Sequence, residues 1–160
     1  MEEAPSTQDI AYEMALRGAT EGVAVMALRQ TSGRGRLGRL WSSPAGKNLA
    51  LSLILRPSCD PGSAPLYGLM AAVATIETVQ SYCPEAVVQV KWPNDVIVSD
   101  KKIAGILPQA HVSDKTIEFV IIGLGLNVNS TRADFPEEIA GNVTSMAILS
   151  GRNFSLEEIA

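Results

Sequence analysis

The chain has 160 residues, 46 % of them hydrophobic, and a formal net charge of -4 at pH 7. That is enough for one domain with its own core, and too apolar for a disordered segment. The acidic balance speaks against a general nucleic-acid binder, which is more often basic, and no apolar run is long enough to span a bilayer.

The first residues, MEEAPSTQDI, are acidic and lack an apolar stretch, so they do not read as a secretory signal, and the cytoplasm is the expected compartment. STQDIAYEMALRG predicts a helix with Ser6 as N-cap, Asp9 three residues on, and Gly18 as the stop. Ile10, Met14 and Arg17 fall roughly on one face of it. VAVMALR (23–29) predicts a buried strand and NLALSLILRP (48–57) a longer one stopped by Pro57. Turn formers fill SCDPGSAP, and Pro65 opens an apolar helix, PLYGLMAAVATIETVQSY, expected to lie on a sheet. AVVQVKW and DVIVS read as strands split by Pro93 and Asn94. KIAGILPQAHV and KTIEFVIIGLGLNVN follow, joined by a hairpin turn at Ser113–Asp114–Lys115. Pro108 cannot donate to a ladder, so the strand is expected to end there or to run along an edge. SLEEIA carries capping-box spacing at Ser155 and Glu158, which reads as a helix start. Short turns between many strands, plus a few helices, predict an α+β layer fold. Cys59 and Cys83 lack metal-site or thioredoxin spacing and read as two thiols in a reducing compartment, with one disulfide as the alternative.

Charge is unevenly distributed. No acidic residue lies between Gly22 and Cys59, while Arg29, Arg34, Arg36, Arg39, Lys47 and Arg56 all do. Such a local positive field attracts anions even on an acidic protein. At its centre, TSGRGRLGRLW combines Gly33, Gly35 and Gly38 with three arginines and Trp41. Glycines permit close backbone approach, and arginine forks grip phosphate or carboxylate. The stretch lacks the Lys–Ser/Thr end of a P-loop and is followed by a strand, not a helix. It reads as an anion clamp, an RNA contact or a bland loop, with Trp41 covering a flat ring or plugging the core. In VKWPNDVIVSDKKIAGIL, Asp95 either belongs to a turn, orients an arginine or helps hold a hydrated divalent cation. Lys101 and Lys102 are either edge charges or, for Lys102, an ammonium turned into a pocket to offset charge during acyl transfer. In IGLGLNVN, Gly123 and Gly125 alternate along an apolar strand, which suggests close approach by a ligand or another backbone, or a bulge. Asn127 and Asn129 share one parity there. His111 is the single histidine, and no nucleophile triad or metal cluster is legible.

Taken together, GRGRLGRLW, KWPNDVIV with KKIAGIL, and GLGLNVN resemble the signature segments of biotin–protein ligases, in that family's order. STQ at 6–8 and LRQTSGRGR extend the resemblance from Ser6 to about Leu149. It implies a mixed, largely antiparallel sheet with packed helices, a fold shared with lipoate ligases and distantly with one class of tRNA synthetases. It also implies two steps. Biotin and Mg-ATP form biotinyl-5′-adenylate and pyrophosphate, and a lysine of a biotin carboxyl carrier domain then takes the biotin. By the resemblance, Ser6, Thr7, Gln8 and Gln30 line the biotin ring site. Arg34, Gly35 and Arg36 close over the carboxylate and phosphate. Arg39, Trp41 and Asn127 serve the nucleotide. Lys102 contacts the activated carboxyl oxygen, and Asp95 places the metal or the attacking amine. ATP and Mg2+ are the implied cofactors. Partners would be the carrier domain, biotin and ATP, without nucleic acid or membrane, and the chain is compatible with a monomer or a homodimer. The resemblance implies a catalytic domain over 1–160 without the DNA-binding helix-turn-helix of some members, and short of their small C-terminal β domain. A lipoate or octanoyl ligase and a non-catalytic biotin binder are the alternatives. Pro108 and Gln109 depart from the family's usual acidic residue, which is expected to alter the wall of the biotin pocket.

Overall fold

The computed structural model describes residues 1–41 and 44–160. In chain order the elements are β1 (Glu3–Ala4), α1 (Thr7–Leu16), β2 (Ala24–Ala27), β3 (Arg29–Gln30), β4 (Leu49–Leu55) and α2 (Ala64–Tyr82). They continue as β5 (Val88–Lys91), β6 (Asp95–Val98), β7 (Lys101–Ser113), β8 (Thr116–Leu126), α3 (Glu137–Ala140), α4 (Met146–Ser150) and α5 (Leu156–Ile159). Six strands form one antiparallel sheet in the order β2-β4-β8-β7-β6-β5, and β1 pairs with β3 in a small parallel ribbon.

The expected α+β architecture is therefore present, and several local reasons for it are visible. Ser6 caps α1 by accepting from the Asp9 amide, and Gly18 follows with φ +89. Asp114 and Lys115, both at positive φ, turn β7 into β8 as the hairpin reading requires. Ser99 and Asp100 do the same between β6 and β7. The inward face of α1 differs from the expected stripe. Thr7, Gln8, Ala11 and Ala15 are buried, while Met14 is 37 % exposed. The small Ala11 and Ala15 let the helix lie close to the sheet, Ile10 and Tyr12 pack at its sides, and Met14 and Leu16 are exposed.

Strand parity sorts the core into two layers. On β8, Val120 and Ile122 join the larger core, with Ala72 and Val79 of α2. Phe119 and Ile121 face the other way and pack with Ala11 and Ala15 of α1. The two helices thus cover opposite faces of the sheet. Each fully buried Val, Ile or Phe among them contributes roughly 1.5–3 kcal/mol. Both cysteines are free, and burial pushes the Cys83 thiol up from its usual pKa. Among the described residues no helix is long and apolar enough to cross a membrane.

Pro108 does not end its strand, since β7 continues to Ser113 with Pro108 opposite Ile122. The reason is directional. The Ile106 amide donates to the Asn94 carbonyl on the β6 side. Pro108 shares that parity, so its missing N–H falls where β6 pairing has already stopped, at Gly105. Its ring packs towards Gly68 of α2, away from the α1 face.

Candidate active site

The α1 face of the sheet changes character along its length. Where α1 covers it, β8 and β4 present Phe119, Ile121 and Ile54. Beyond the helix start the same rows continue as Gly123 and Gly125 on β8, opposite Ser52 and Ala50 on β4. The loss of side-chain volume opens a cleft, with β7 supplying Gly105 and Leu107 opposite the two glycines.

Polar groups in this first cleft are bonded to one another in a directed chain. Ser52 Oγ donates to Thr7 Oγ1 at 2.9 Å, and Thr7 donates to Gln30 Oε1 through both its hydroxyl, at 3.1 Å, and its amide, at 2.8 Å. Gln8 Nε2 donates to the Leu107 carbonyl at 3.2 Å, with Ser52 Oγ 3.3 Å from its Oε1. Ser6, Thr7, Gln8 and Ser52 are all buried. Gly123 explains how Gln8 lies so flat, because a Cβ there would overlap its amide oxygen.

The arginine–glycine loop folds over this cleft as a small hairpin. Trp41 N donates to the Gly33 carbonyl at 2.9 Å, Gly35 N donates to that of Arg39 at 2.8 Å, and Arg34 bridges Leu40. The tip turns at Leu37 and Gly38, both at positive φ. Arg34 pairs with Asp9 of α1, and Arg36 Nη1 donates to Asn94 Oδ1 at 3.0 Å. Asn94 in turn donates to the Ile106 carbonyl at 3.2 Å. The loop is thereby tied to α1 on one side and to the Pro93–Asn94 turn on the other.

Lys102 reaches the same place through a bulge. Val96 pairs with Ala104 but Ile97 pairs with Lys102, so β7 carries an extra residue, and Ile103 and Ala104 both enter the α2-side core. A bulge re-aims the following side chain. Lys102 therefore lies beside Gly105 on the cleft side. Its amide donates to the Asn142 carbonyl and its carbonyl accepts from Thr144 N, each at 2.9 Å. Its Nζ lies 2.7 Å from Asp95 Oδ1, off the axis of a well-formed hydrogen bond, and 5.4 Å from the centre of the Trp41 ring.

A second cleft begins on the other side of these residues. Arg39, Lys91, Asp95, Asp100 and Asn127 line it, together with Trp41 and Lys102 again. It holds about 550 Å³ of open space, against about 50 Å³ in the first. Asn127 lines it, yet its amide is engaged inward. Nδ2 donates to the Thr144 carbonyl at 3.0 Å, and Oδ1 accepts from Asn48 at 3.4 Å. Asn129 is committed to both the amide and the carbonyl of Phe154.

Ser6, Thr7, Gln8, Gln30, Arg34, Gly35 and Arg36 thus gather at the first cleft, and Arg39, Asp95 and Asn127 at the second, with Lys102 and Trp41 common to both. Sequence reasoning missed Ser52 and the hold of Asn94 on Arg36. Ser52 had a signal, as the single polar residue in LALSLIL.

The chain is similar to known proteins over most of its length. A model of the biotin/lipoate A/B protein ligase family matches residues 2–127. The bifunctional ligase/repressor BirA of Bacillus subtilis is 40 % identical over 146 residues, covering 91 % of this chain and 45 % of that protein. The biotin–[acetyl-CoA-carboxylase] ligase of Mycobacterium tuberculosis is 38 % identical over 129 residues, 79 % of this chain and 45 % of that one. The chain spans about half the length of the curated relatives it matches. Biotin protein ligase from Aquifex aeolicus, solved with biotin and ATP, superposes with a TM-score of 0.80 at 31 % identity, over 99 % of this chain and 63 % of that one. The Leishmania major enzyme with biotinyl-5-AMP gives a TM-score of 0.82 at 25 % identity, over 99 % and 68 %.

Proposed function

The chain belongs to the biotin/lipoate A/B protein ligase family, and from that premise we propose that it is the catalytic part of a biotin–protein ligase. The observation that carries this reading is the shared wall: Lys102 and Trp41 line both clefts. A reaction that joins a carboxylate to a nucleotide needs two adjoining sites with a cation at their junction. The first cleft suits an uncharged bicyclic ring, which asks for an apolar slot and a few fixed hydrogen bonds. Thr7, Gln8, Gln30 and Ser52 supply those bonds. The second suits a nucleotide, with Arg39 and Lys91 for its phosphates and Trp41 beside its base.

In this mechanism the biotin carboxylate attacks the α-phosphorus of ATP, and pyrophosphate leaves. Like charges approach each other, and Arg34, Arg36 and Lys102 offset the repulsion while holding the line of attack. Lys102 then stays beside the acyl oxygen of biotinyl-5′-adenylate. The amine of a carrier-domain lysine attacks the acyl carbon, forming the amide and releasing AMP. Asp95, 2.7 Å from Lys102, orients that ammonium, and in this reading it takes the proton that the incoming amine loses.

Magnesium fits only as an ion carried by the triphosphate. Among the described residues no three carboxylate, cysteine or histidine side chains gather, and the second cleft offers Asp95 and Asp100. One or two carboxylates completed by phosphate oxygens is how magnesium is usually held beside nucleotides. There it would supply charge neutralisation of the leaving pyrophosphate. The cytoplasm is the compartment proposed for the chain.

The test is pyrophosphate release. It should require biotin and Mg-ATP together, resist competition by lipoate, and be followed by label transfer to a biotin carboxyl carrier domain. Release driven by lipoate instead would assign the lipoate chemistry of the same family. Biotin binding without release would leave a binder and sink the enzyme reading.

A further inference from the structure

The alternating glycines of β7 and β8 have different neighbours. Gly123 faces Gln8, but Gly105 and Gly125 face Trp41. A Cβ on Gly125 would fall inside the indole, and one on Gly105 would lie 3.0 Å from its Cζ3. The ring therefore rests on bare backbone, at the junction where both clefts share it as a wall. With the ring there, the first cleft holds about 50 Å³ of open space. That is room for a few water molecules, whereas small-molecule sites run to roughly 300 Å³ or more.

We infer that the Trp41 indole is a displaceable occupant of its own active site: its seat on Gly105 and Gly125 is the passage between the clefts, and a ligand spanning both must lift it. The identity of that ligand rests on the function proposed above. Two further observations agree. Trp41 Nε1 is buried with no acceptor among the described residues, and an unsatisfied buried donor is costly. The side-chain ties of the loop are also light. Arg34–Asp9 is about half exposed on both sides, and water screens an exposed pair of this kind. Lifting the ring also uncovers Lys102, whose ammonium now sits over its face.

The test uses Trp92→Phe as background, because Trp92 is 80 % exposed and is the other tryptophan. Trp41 emission should be that of a shielded indole. Gly125→Ala should shift it to the red and raise acrylamide quenching, with circular dichroism unchanged. Gly105→Ala, which presses on the ring from the neighbouring strand, should do the same and serves if Gly125→Ala does not fold. Unchanged emission in both would overturn the seat, whatever the ligand. The second arm measures biotin binding by surface plasmon resonance. If the ring is an occupant, Trp41→Ala raises the association rate several-fold. If it is a fixed wall, association is unchanged or slower and only dissociation quickens, which would overturn the inference. Failure of the parent protein to bind biotin would sink the functional reading and the ligand claim together, while the emission arm still reports on the seat.

Discussion

In the first cleft the polar side chains are bonded to one another; in the second they mostly face solvent. Ser52, Thr7, Gln8 and Gln30 form a directed, largely buried chain that is complete before any ligand arrives. Arg39 and Lys91 carry no ion pair among the described residues, and Asp95 keeps a buried oxygen without an aligned partner. The contrast follows the chemistry of the two proposed ligands. A neutral fused ring is recognised by few bonds that must already be aimed, because a misplaced buried polar group is expensive. A triphosphate is recognised by charge, which acts over distance and tolerates movement. Lys102 stands between the two plans, with its backbone pinned and its ammonium partly exposed.

Substitutions can break this contrast, and their effects should fall in order. Lys102→Ala removes the cation at the junction and should lower the rate of pyrophosphate release by ~10²–10³-fold with the fold intact. KM for each substrate should change far less. Gln8→Ala strikes the aimed chain. Losing one buried bond and stranding its partner costs about 1–3 kcal/mol, so KM for biotin should rise roughly 10- to 100-fold while KM for ATP stays put. Arg39→Ala strikes the charged cleft and should raise KM for ATP only ~3- to 10-fold, an effect that shrinks as salt is added. A Gln8→Ala effect that fell on ATP instead would erase the distinction between the clefts.

The smallest effect lies away from both clefts, just before β4. Lys47 Nζ lies 2.6 and 2.7 Å from the two oxygens of Asp134, linking the entry to β4 to the turn after β8. Hydrogen bonds from Lys47, and from the backbone and hydroxyl of Thr131, hold the Asp134 carboxyl at a pKa of about 2, below its ordinary 3.8. A depressed carboxylate stabilises the fold above its unfolded pKa and loses that contribution as pH falls through the folded one. Lys47→Met should therefore lower the melting temperature by ~2–4 °C at neutral pH. The gap from the parent should close between pH 3.8 and about 2, as followed by thermal melts across that range.

Much of the frame was legible because its signals are local. The Ser6 cap, the Asp114–Lys115 turn and the apolar runs of β4, α2 and β8 each depend on neighbours in sequence. The arginine–glycine loop was legible as a candidate too, since three arginines and three glycines fall within residues 33–39. What escaped depends on distant partners. The stripe through Ile10 and Met14 missed the centre of the inward face of α1, because Ala11 and Ala15 lie against Phe119 and Ile121 of β8 and Ile54 of β4, while Ile10 packs at the side and Met14 is exposed. Pro108 was ambiguous until the length of β6 was known. Asn127 looked free to meet a nucleotide, yet Asn48 and Thr144 take its amide. That Gly123 makes room for Gln8 and Gly125 for Trp41 is a matter of register, which alternation alone does not encode.

The central claim is that the carboxylate held in the first cleft attacks the α-phosphorus of the nucleotide held in the second. Biotin labelled with ¹⁸O in both carboxylate oxygens tests it directly, with mass spectrometry of the products after transfer to a carrier domain. The account predicts AMP carrying one ¹⁸O atom and unlabelled pyrophosphate. Unlabelled AMP, or label in orthophosphate, would contradict it.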